Sequence, residues 1–460
     1  MKTRTGGAGT ARSGPPALID SMAAAMAYLD DRVNLERIAP GGPGNTKTEY
    51  RLDRMRALLT ALGEPQQSVR MVHVAGTKGK GSTCWMVSAM LEGCGYTVGL
   101  FTSPHLVDVR ERIMVNRKPV SEEDFVRLTR RAAAAAAEVE AADAEGGPAT
   151  FFELLTAMGF LHYAEQAVDA AVIEVGLGGL LDCTNVITPE VAAVATVGRD
   201  HTQVLGDTVE EIAAQKCGIF KPGVPALIID QDAAVMEVAK KTAEQVGASL
   251  TVVGKDIDFS FRIEHPPAGT AAGGGRSAMP VARLSITTRR WELEHVPVPL
   301  AGEHQATNCA LALAVVDALA DRGFDVPVDK ALAGLAGVRT TGYPGRFEVS
   351  GGNGSPRVLL DGAHNIDSVK ALTKTIGQWL QYEALVVIFG CAADKEVGPM
   401  LRALSMAADK VIFTKAADNC ACGGPGEAGE DVHRDRREAG DARAGPGVGG
   451  RAGEAVADDE

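Results

Sequence analysis

Five short apolar runs, "MVHVAG", "TVGLFTS", "DAAVIEVG", "VAAVATVG" and "VPALIID", mark the chain between about Val69 and Pro225, and each ends in turn-prone or polar residues. Segments of helical character such as "STCWMVSAMLEGCG" separate them. Unbroken Val- and Ile-rich runs, as opposed to strict alternation with polar residues, belong to strands covered on both faces. Alternating with helices, they predict a parallel sheet in an α/β domain. Ligands in such sheets gather at the carboxyl ends of the strands, so chemistry is to be sought in the residues that follow each run.

A second α/β unit begins near Leu300 with the helix "LAGEHQATNCALALAVVDALADRG" and continues through "PRVLLDGAHN", "ALVVIFG" and "DKVIFTK". The Ala-rich stretch from Arg130 to Thr150 reads as a solvent-facing helix and loop, because Ala has high helix propensity and Gly146-Gly147-Pro148 ends it. The Gly- and Pro-rich segment from His265 to Pro280 reads as a flexible loop. After Asn419 large apolar residues almost vanish, and such a segment cannot bury enough surface to order itself. The resulting division is a flexible N-terminus (1–16), a first domain (17–298), a smaller second domain (299–419) and a disordered tail (420–460).

Composition narrows the function classes. A chain of 460 residues is too long for one ordinary core. With 45% hydrophobic and 23% charged residues and no membrane-length apolar run, it reads as a soluble, cytoplasmic protein with no membrane partner. A net charge of −13 argues against nucleic acid as a partner, since phosphate backbones need clustered Lys and Arg. The eight cysteines suggest neither a disulfide framework nor a zinc site, which fits a reducing compartment. Before Asp20 the chain is basic but lacks a secretory apolar core, so a frayed terminus and a short organelle-targeting segment both fit.

The stretch "VAGTKGKGST", Val74 to Thr83, follows the first run and opens a helix. Glycines let backbone N–H groups close around phosphate oxygens, a Lys meets the terminal phosphates, and the helix N-terminus adds positive potential. Gly76, Thr77, Gly79, Lys80, Gly81, Ser82 and Thr83 supply these parts, with ATP as the expected ligand. The common G-x-x-x-x-G-K-[ST] spelling would place Gly at Val74 and a hydroxyl at Gly81. A kinase, an ATPase and a ligase all fit at this point.

This variant loop resembles that of the Mur-type ligases. Further motifs, in order, resemble the dihydrofolate synthase/folylpolyglutamate synthase family: "FTSPHL", "TFFELLTA", "EVGLGGLLDCTN", "GRDHTQVLGDTVEEIAAQKCGIFKPGVP", "GEHQATNCALAL", "YPGRFEV" and "LLDGAHN". The resemblance runs from about "YLDDRVNLER" to Asn419. It implies an N-terminal P-loop domain with a mostly parallel sheet plus a smaller Rossmann-like domain, here incomplete. The implied activity is that of an ATP-dependent acid–amino-acid ligase joining L-glutamate to dihydropteroate or to a folate through an acyl phosphate.

By that resemblance Ser103, Glu174 and His201 hold magnesium, with two ions in all, and Lys80, His201 and Lys216 act in catalysis. Lys216 is expected to be carbamylated, which replaces a cation with a carboxylate. Its helix opens with the capping box Thr208-x-x-Glu211, and from position alone it would pass as a surface lysine. Glu174 closes a Val/Ile run, so its carboxylate is expected to project at the strand end and not to be buried. Thr150, Phe152, Asp182 and His364 correspond to acceptor contacts: an aromatic ring stacks on a pterin and a carboxylate accepts its N–H groups. His364 and its neighbour Asn365 would face the acceptor or the incoming glutamate. Asn308, Arg346 and Asp361 correspond to ATP contacts from the second domain. Leu180 stands where family members often carry Arg. Relatives are expected to be monomers.

In the family a short "NPRA"-like turn, a helix and strands follow the segment matching "DKVIFTKA". Here Cys420-Ala421-Cys422-Gly423 follows Asn419. Reading GC-rich codons for these residues one base later permits Ala-Arg-Ala-Ala-Asp-Pro-Gly-Lys-Leu, which resembles that continuation and suggests a frameshift near residue 419. Two rivals therefore stand beside the folate ligase: another Mur-type amide ligase, and a nucleotide-binding remnant without turnover.

Overall fold

The computed structural model describes residues 18–35, 51–143, 146–266, 271–272, 276–277, 279–351, 356–391 and 395–414. The expectations for segment 1–16 and for the tail after Asn419 lie outside these residues. Two compact units divide the chain: Gly362 and everything before it together with Thr375–Leu380, and Ala363–Lys374 together with the residues from Gln381 onward.

In the first unit, α1 (Met22–Asp30) and α2 (Leu52–Ala61) precede β1 (Met71–Ala75), α3 (Lys80–Gly93) and β2 (Val98–Phe101). Next come β3 (Ile113–Val115), β4 (Lys118–Pro119), α4 (Glu122–Ala142), α5 (Phe151–Glu165) and β5 (Ala170–Glu174). They are followed by β6 (Val191–Val194), α6 (Thr202–Leu205), α7 (Val209–Cys217), β7 (Pro225–Ile229), α8 (Ala233–Val246) and β8 (Ser249–Val253). The strands form one eight-stranded sheet ordered β4-β3-β2-β5-β1-β6-β7-β8. The six from β2 to β8 run parallel, and β3 and β4 add an antiparallel edge. The five apolar runs are β1, β2, β5, β6 and β7, and β1, β2, β5 and β6 are buried along their whole length, as strands covered on both faces must be.

One core packs α1, α2, α4 and α5 together, with Leu29, Met55, Phe125, Leu154 and Phe160 inside it. The Ala-rich helix departs from the expectation of a solvent-facing segment. It begins at Glu122, and Ala132, Ala133, Ala135 and Ala136 are buried. Small side chains let it approach its neighbours closely. A second core joins β6, β7, α7 and α8.

Beyond the large sheet lie β9 (Asp258–Glu264), the short pair β10 (Ala271–Ala272) and β11 (Arg276–Ser277), then β12 (Val281–Thr287) and β13 (Glu292–Pro297). β13-β12-β9 form an antiparallel sheet, while β10 and β11 give the expected His265–Pro280 loop a small ladder. α9 (Glu303–Asp321) and α10 (Val328–Thr341) both pack on α3. The α3–α10 approach depends on glycine: a Cβ on Gly334 would lie 2.1 Å from the Ala89 carbonyl oxygen, and one on Gly93 would lie 2.5 Å from that of Lys330. The hairpin β14 (Glu348–Gly351) and β15 (Arg357–Leu360) completes this unit.

The smaller unit contains most of α11 (Ile366–Trp379), then β16 (Val386–Phe389), α12 (Val397–Ala407) and β17 (Lys410–Phe413), with β16 and β17 parallel. Phe389 packs with Val369, Met400, Leu401 and Leu404 on one face. On the other face Val386, Ile388 and Ile412 are 53%, 70% and 41% exposed.

Candidate active site

β1 ends at Ala75, and the chain turns through Gly76 (φ +152°) and Gly79 (φ +85°) into α3, with Gly79 as the N-cap. The amides of Thr77 and Lys78 donate to Thr196 O at 2.7 and 3.2 Å. Thr77 Oγ1 donates to Gly198 O and accepts from Gly198 N, each at 3.0 Å, which pins the loop to the end of β6. At two positions only glycine fits. A Cβ on Gly79 would meet Asn308 Oδ1 at 2.2 Å, and one on Gly81 would meet Tyr343 Oη at 2.4 Å.

Two lysines converge inside the loop: Lys80 Nζ donates to Gly76 O at 3.2 Å and Lys216 Nζ donates to the same oxygen at 3.0 Å. Lys216 is buried, contrary to its surface reading, and the Thr208/Glu211 capping box that starts its helix is formed as expected. Burial, reinforced by the nearby Lys80 charge, lowers the Lys216 ammonium to about 7. The first turn of α3 adds the positive end of a helix to this cationic cleft.

Glu174 stands at the end of β5, next to β1, and its Oε2 accepts the Ser103 amide at 3.1 Å. It is only 4% exposed, a departure from the expected projecting carboxylate. Burial raises its pKa against the pull of Lys80, Arg346 and Arg112. Asn308 is held by its Nδ2 donating to Gln305 Oε1 at 3.0 Å. Arg346 lies over the Tyr343 ring at 5.5 Å and donates to Gly345 O, while Asp361 Oδ2 accepts the Phe347 amide at 2.9 Å. His201 opens α6 in a left-handed conformation (φ 49°), and its amide donates to Asp200 Oδ1 at 3.0 Å.

Two residues not singled out from sequence join this group. Tyr343 stacks on Trp85 of α3 (4.7 Å between centroids, 21° between planes), placing its hydroxyl over Gly81. His304 keeps an exposed edge but lies among the charges of Asp361, Lys78 and Arg346, and partial desolvation lowers its pKa. Both lie inside motifs already quoted, Tyr343 in "YPGRFEV" and His304 in "GEHQATNCALAL", and that was the available signal.

On the other side of Glu174, Phe152 and Asp182 converge above Gly176. A Cβ there would lie 2.4 Å from Phe152 Cζ and 3.2 Å from Asp182 Oδ2. Asp182 is buried and accepts Leu177 N (2.9 Å), Thr184 N (3.0 Å) and the Thr184 hydroxyl. Thr150 caps α5: its hydroxyl accepts the Glu153 amide, and Glu153 in turn accepts the Thr150 amide and pairs with buried Arg54. Leu180 and Leu181 are 43% and 37% exposed nearby in sequence. His364 and Asn365 belong to the second unit, where both amides donate to Ser368 Oγ ahead of α11.

The donor set suits a hard cation that keeps most of its shell from phosphate and water. Among the described residues no three His, Cys, Asp or Glu side chains form a cation cage. A buried carboxylate, Glu174, lies against Gly81 at the start of α3, and Thr83 in the first turn of that helix has a buried hydroxyl with no hydrogen-bond partner among the described residues; magnesium characteristically takes one or two protein oxygens beside phosphate.

Comparison with known proteins agrees with this geometry. The family model for the Mur ligase middle domain matches residues 74–316, and that for the Mur ligase glutamate ligase domain matches residues 345–451. The dihydrofolate synthase/folylpolyglutamate synthase of Bacillus subtilis is 36% identical over 364 residues, 79% of this chain and 80% of that one. The solved folylpolyglutamate synthase of Mycobacterium tuberculosis complexed with ADP superposes with a TM-score of 0.76 at 31% identity, covering 92% and 91% of the two chains. A solved FPGS–AMPPCP–folate complex gives a TM-score of 0.75 at 28% identity over 91% and 95%. Among the described residues no helix is long and apolar enough to cross a membrane. Phosphate loop, sheet order and sequence kinship together place this chain in the dihydrofolate synthase/folylpolyglutamate synthase family of Mur ligases.

Proposed function

We propose that the chain is an ATP-dependent ligase that joins L-glutamate to the carboxylate of dihydropteroate, of a (poly)glutamylated tetrahydrofolate, or of both, through an acyl phosphate. One observation carries the reading: the end of β5 serves two sites at once. Glu174 faces the phosphate loop, and two residues later Gly176 is the point where Phe152 and Asp182 meet. In this reading phosphate handling and acceptor binding flank one strand end, as carboxylate activation requires.

In this reading the α3 N-terminus, Gly79, Gly81 and Lys80 bind the terminal phosphates and neutralise the charge that accumulates as phosphoryl moves to a carboxylate. Gly76, Thr77, Ser82 and Thr83 complete the loop, while Asn308, Arg346 and Asp361 hold the nucleotide. Ser103, Glu174 and His201 would hold magnesium, which when bound supplies charge neutralisation between phosphate oxygens. Phe152 stacks on the acceptor ring and Asp182 accepts its N–H groups, with Thr150 at the margin. Lys216 suits carbamylation because an amine that titrates near 7 is neutral often enough to attack carbon dioxide, releasing a proton and leaving a carboxylate. A monomeric, cytoplasmic enzyme is part of the same proposal.

The test is ADP formation by the purified 460-residue chain, with dihydropteroate, tetrahydrofolate and a muramyl nucleotide as separate acceptors. The reading requires glutamate-dependent ADP release with at least one pterin acceptor and none with the muramyl nucleotide; the reverse pattern would assign it to another Mur-type ligation. Binding without turnover is a second reading, favoured by the exposed apolar face of Val386, Ile388 and Ile412 in the smaller unit. Tight ATP binding with no glutamate-dependent phosphate release would select it.

A further inference from the structure

His73 occupies an improbable place. It lies inside β1, at the middle of the large sheet, fully buried and in register with Ile173 on one side and Ala192 on the other. A branched apolar residue would fill that position without the desolvation cost of an imidazole. The ring is engaged on one side only. Nε2 lies 2.9 Å from Thr184 Oγ1, whereas Nδ1 has no hydrogen-bond partner among the described residues.

The direction of each bond follows from counting hydrogens. The Thr184 hydroxyl has one hydrogen and donates it to Asp182 Oδ1. Toward His73 it can therefore only accept, so Nε2 carries the imidazole proton and Nδ1 is the bare nitrogen. The chain His73 Nε2–H, Thr184 O–H, Asp182 carboxylate runs one way. It ends on the carboxylate whose other oxygen lies beside Gly176 and the Phe152 ring.

We propose that His73 and Thr184 are positioning residues for the acceptor: they fix the rotamer of Asp182 so that its carboxylate faces a flat heterocycle bearing N–H donors, of the 2-amino-4-oxo pterin class. This rests on the reading of Asp182 given under the proposed function. Two backbone amides also hold Asp182, and these restrain its position. The Thr184 hydroxyl is the one side-chain donor to Asp182 among the described residues, and without His73 that hydroxyl is free to rotate away. Chain bonds of this kind reinforce one another in a buried setting.

The experiment is calorimetric binding of dihydropteroate, in the presence of AMPPCP, to the full chain and five variants, with AMPPCP affinity and melting temperature measured in parallel. His73→Leu and Thr184→Val break the chain, while His73→Gln and Thr184→Ser restore a donor and a hydroxyl in nearly the same places. The proposal expects the first pair to weaken dihydropteroate binding about tenfold. It expects the second pair to recover most of that loss, and AMPPCP affinity to change by less than about twofold throughout. Unchanged dihydropteroate affinity in Thr184→Val, or a loss not recovered by Thr184→Ser, overturns it, even where His73→Leu fails to fold. Asp182→Asn separates the two layers. If it alone weakens binding, the chain plays no positioning part but the acceptor reading survives; if Asp182→Asn has no effect, the acceptor reading itself fails.

Discussion

At Gly81 a side chain is excluded by a residue far along the chain. The Tyr343 hydroxyl occupies the space above it, and the Tyr343 ring is braced on Trp85, so it cannot swing aside at low cost. Gly81→Ala should weaken AMPPCP binding about tenfold, and adding Tyr343→Phe should recover part of that loss, because the nearest clashing atom is then gone. Strictly additive effects in this double-mutant cycle would contradict the placement of Tyr343. A second prediction concerns acid stability. Burial, with the Lys221 charge, holds His73 at about 3, whereas an exposed histidine titrates near 6.5. Between those values the unfolded chain takes up a proton that the folded chain does not, so stability falls as pH drops through that window. From pH 7 to pH 5 the wild type should lose about 2 kcal/mol more, by denaturant unfolding, than His73→Gln. Equal losses would mean that the imidazole protonates within the fold.

The strands were legible as elements because each is an unbroken Val- or Ile-rich run closed by turn residues, and the Thr208 capping box marked the start of α7 directly. What faces an element was less legible. Lys216 looks exposed in "VEEIAAQKCG" because nothing local reveals that its helix ends against the phosphate loop, and the alanines of α4 are too small to mark a buried face. Thr150 reads from the resemblance only as an acceptor contact, yet "TFFE" also spells a capping box, which the structure forms. Tyr343 and His73 contact partners distant in sequence, Trp85 and Thr184, and no local pattern records those pairings. The α3–α10 contact gives a prediction at this scale. Gly334→Ala forces a Cβ against the Ala89 carbonyl and should cost about 1–3 kcal/mol in denaturant unfolding. A neutral result would mean that the two helices are not so close.

Across the whole molecule the two units differ in how completely their strands are covered. Strands β1, β2, β5 and β6 of the large sheet are buried on both faces, whereas among the described residues the β16–β17 pair has its core on one face and presents Val386, Ile388 and Ile412 on the other. Parallel strands are normally covered on both faces. Amides of β16 and β17 should therefore exchange with solvent well before those of β1 and β5, a difference that hydrogen exchange with mass spectrometry reads directly. The central claim, carboxylate activation by phosphoryl transfer followed by attack of glutamate nitrogen, is tested most directly with dihydropteroate labelled with ¹⁸O in its carboxylate. Phosphoryl transfer makes one carboxylate oxygen the bridge to phosphorus, and attack by glutamate expels that oxygen with the phosphate. The account predicts one ¹⁸O atom in the released phosphate for each glutamate joined. Unlabelled phosphate, or phosphate released at the same rate without glutamate, would contradict it.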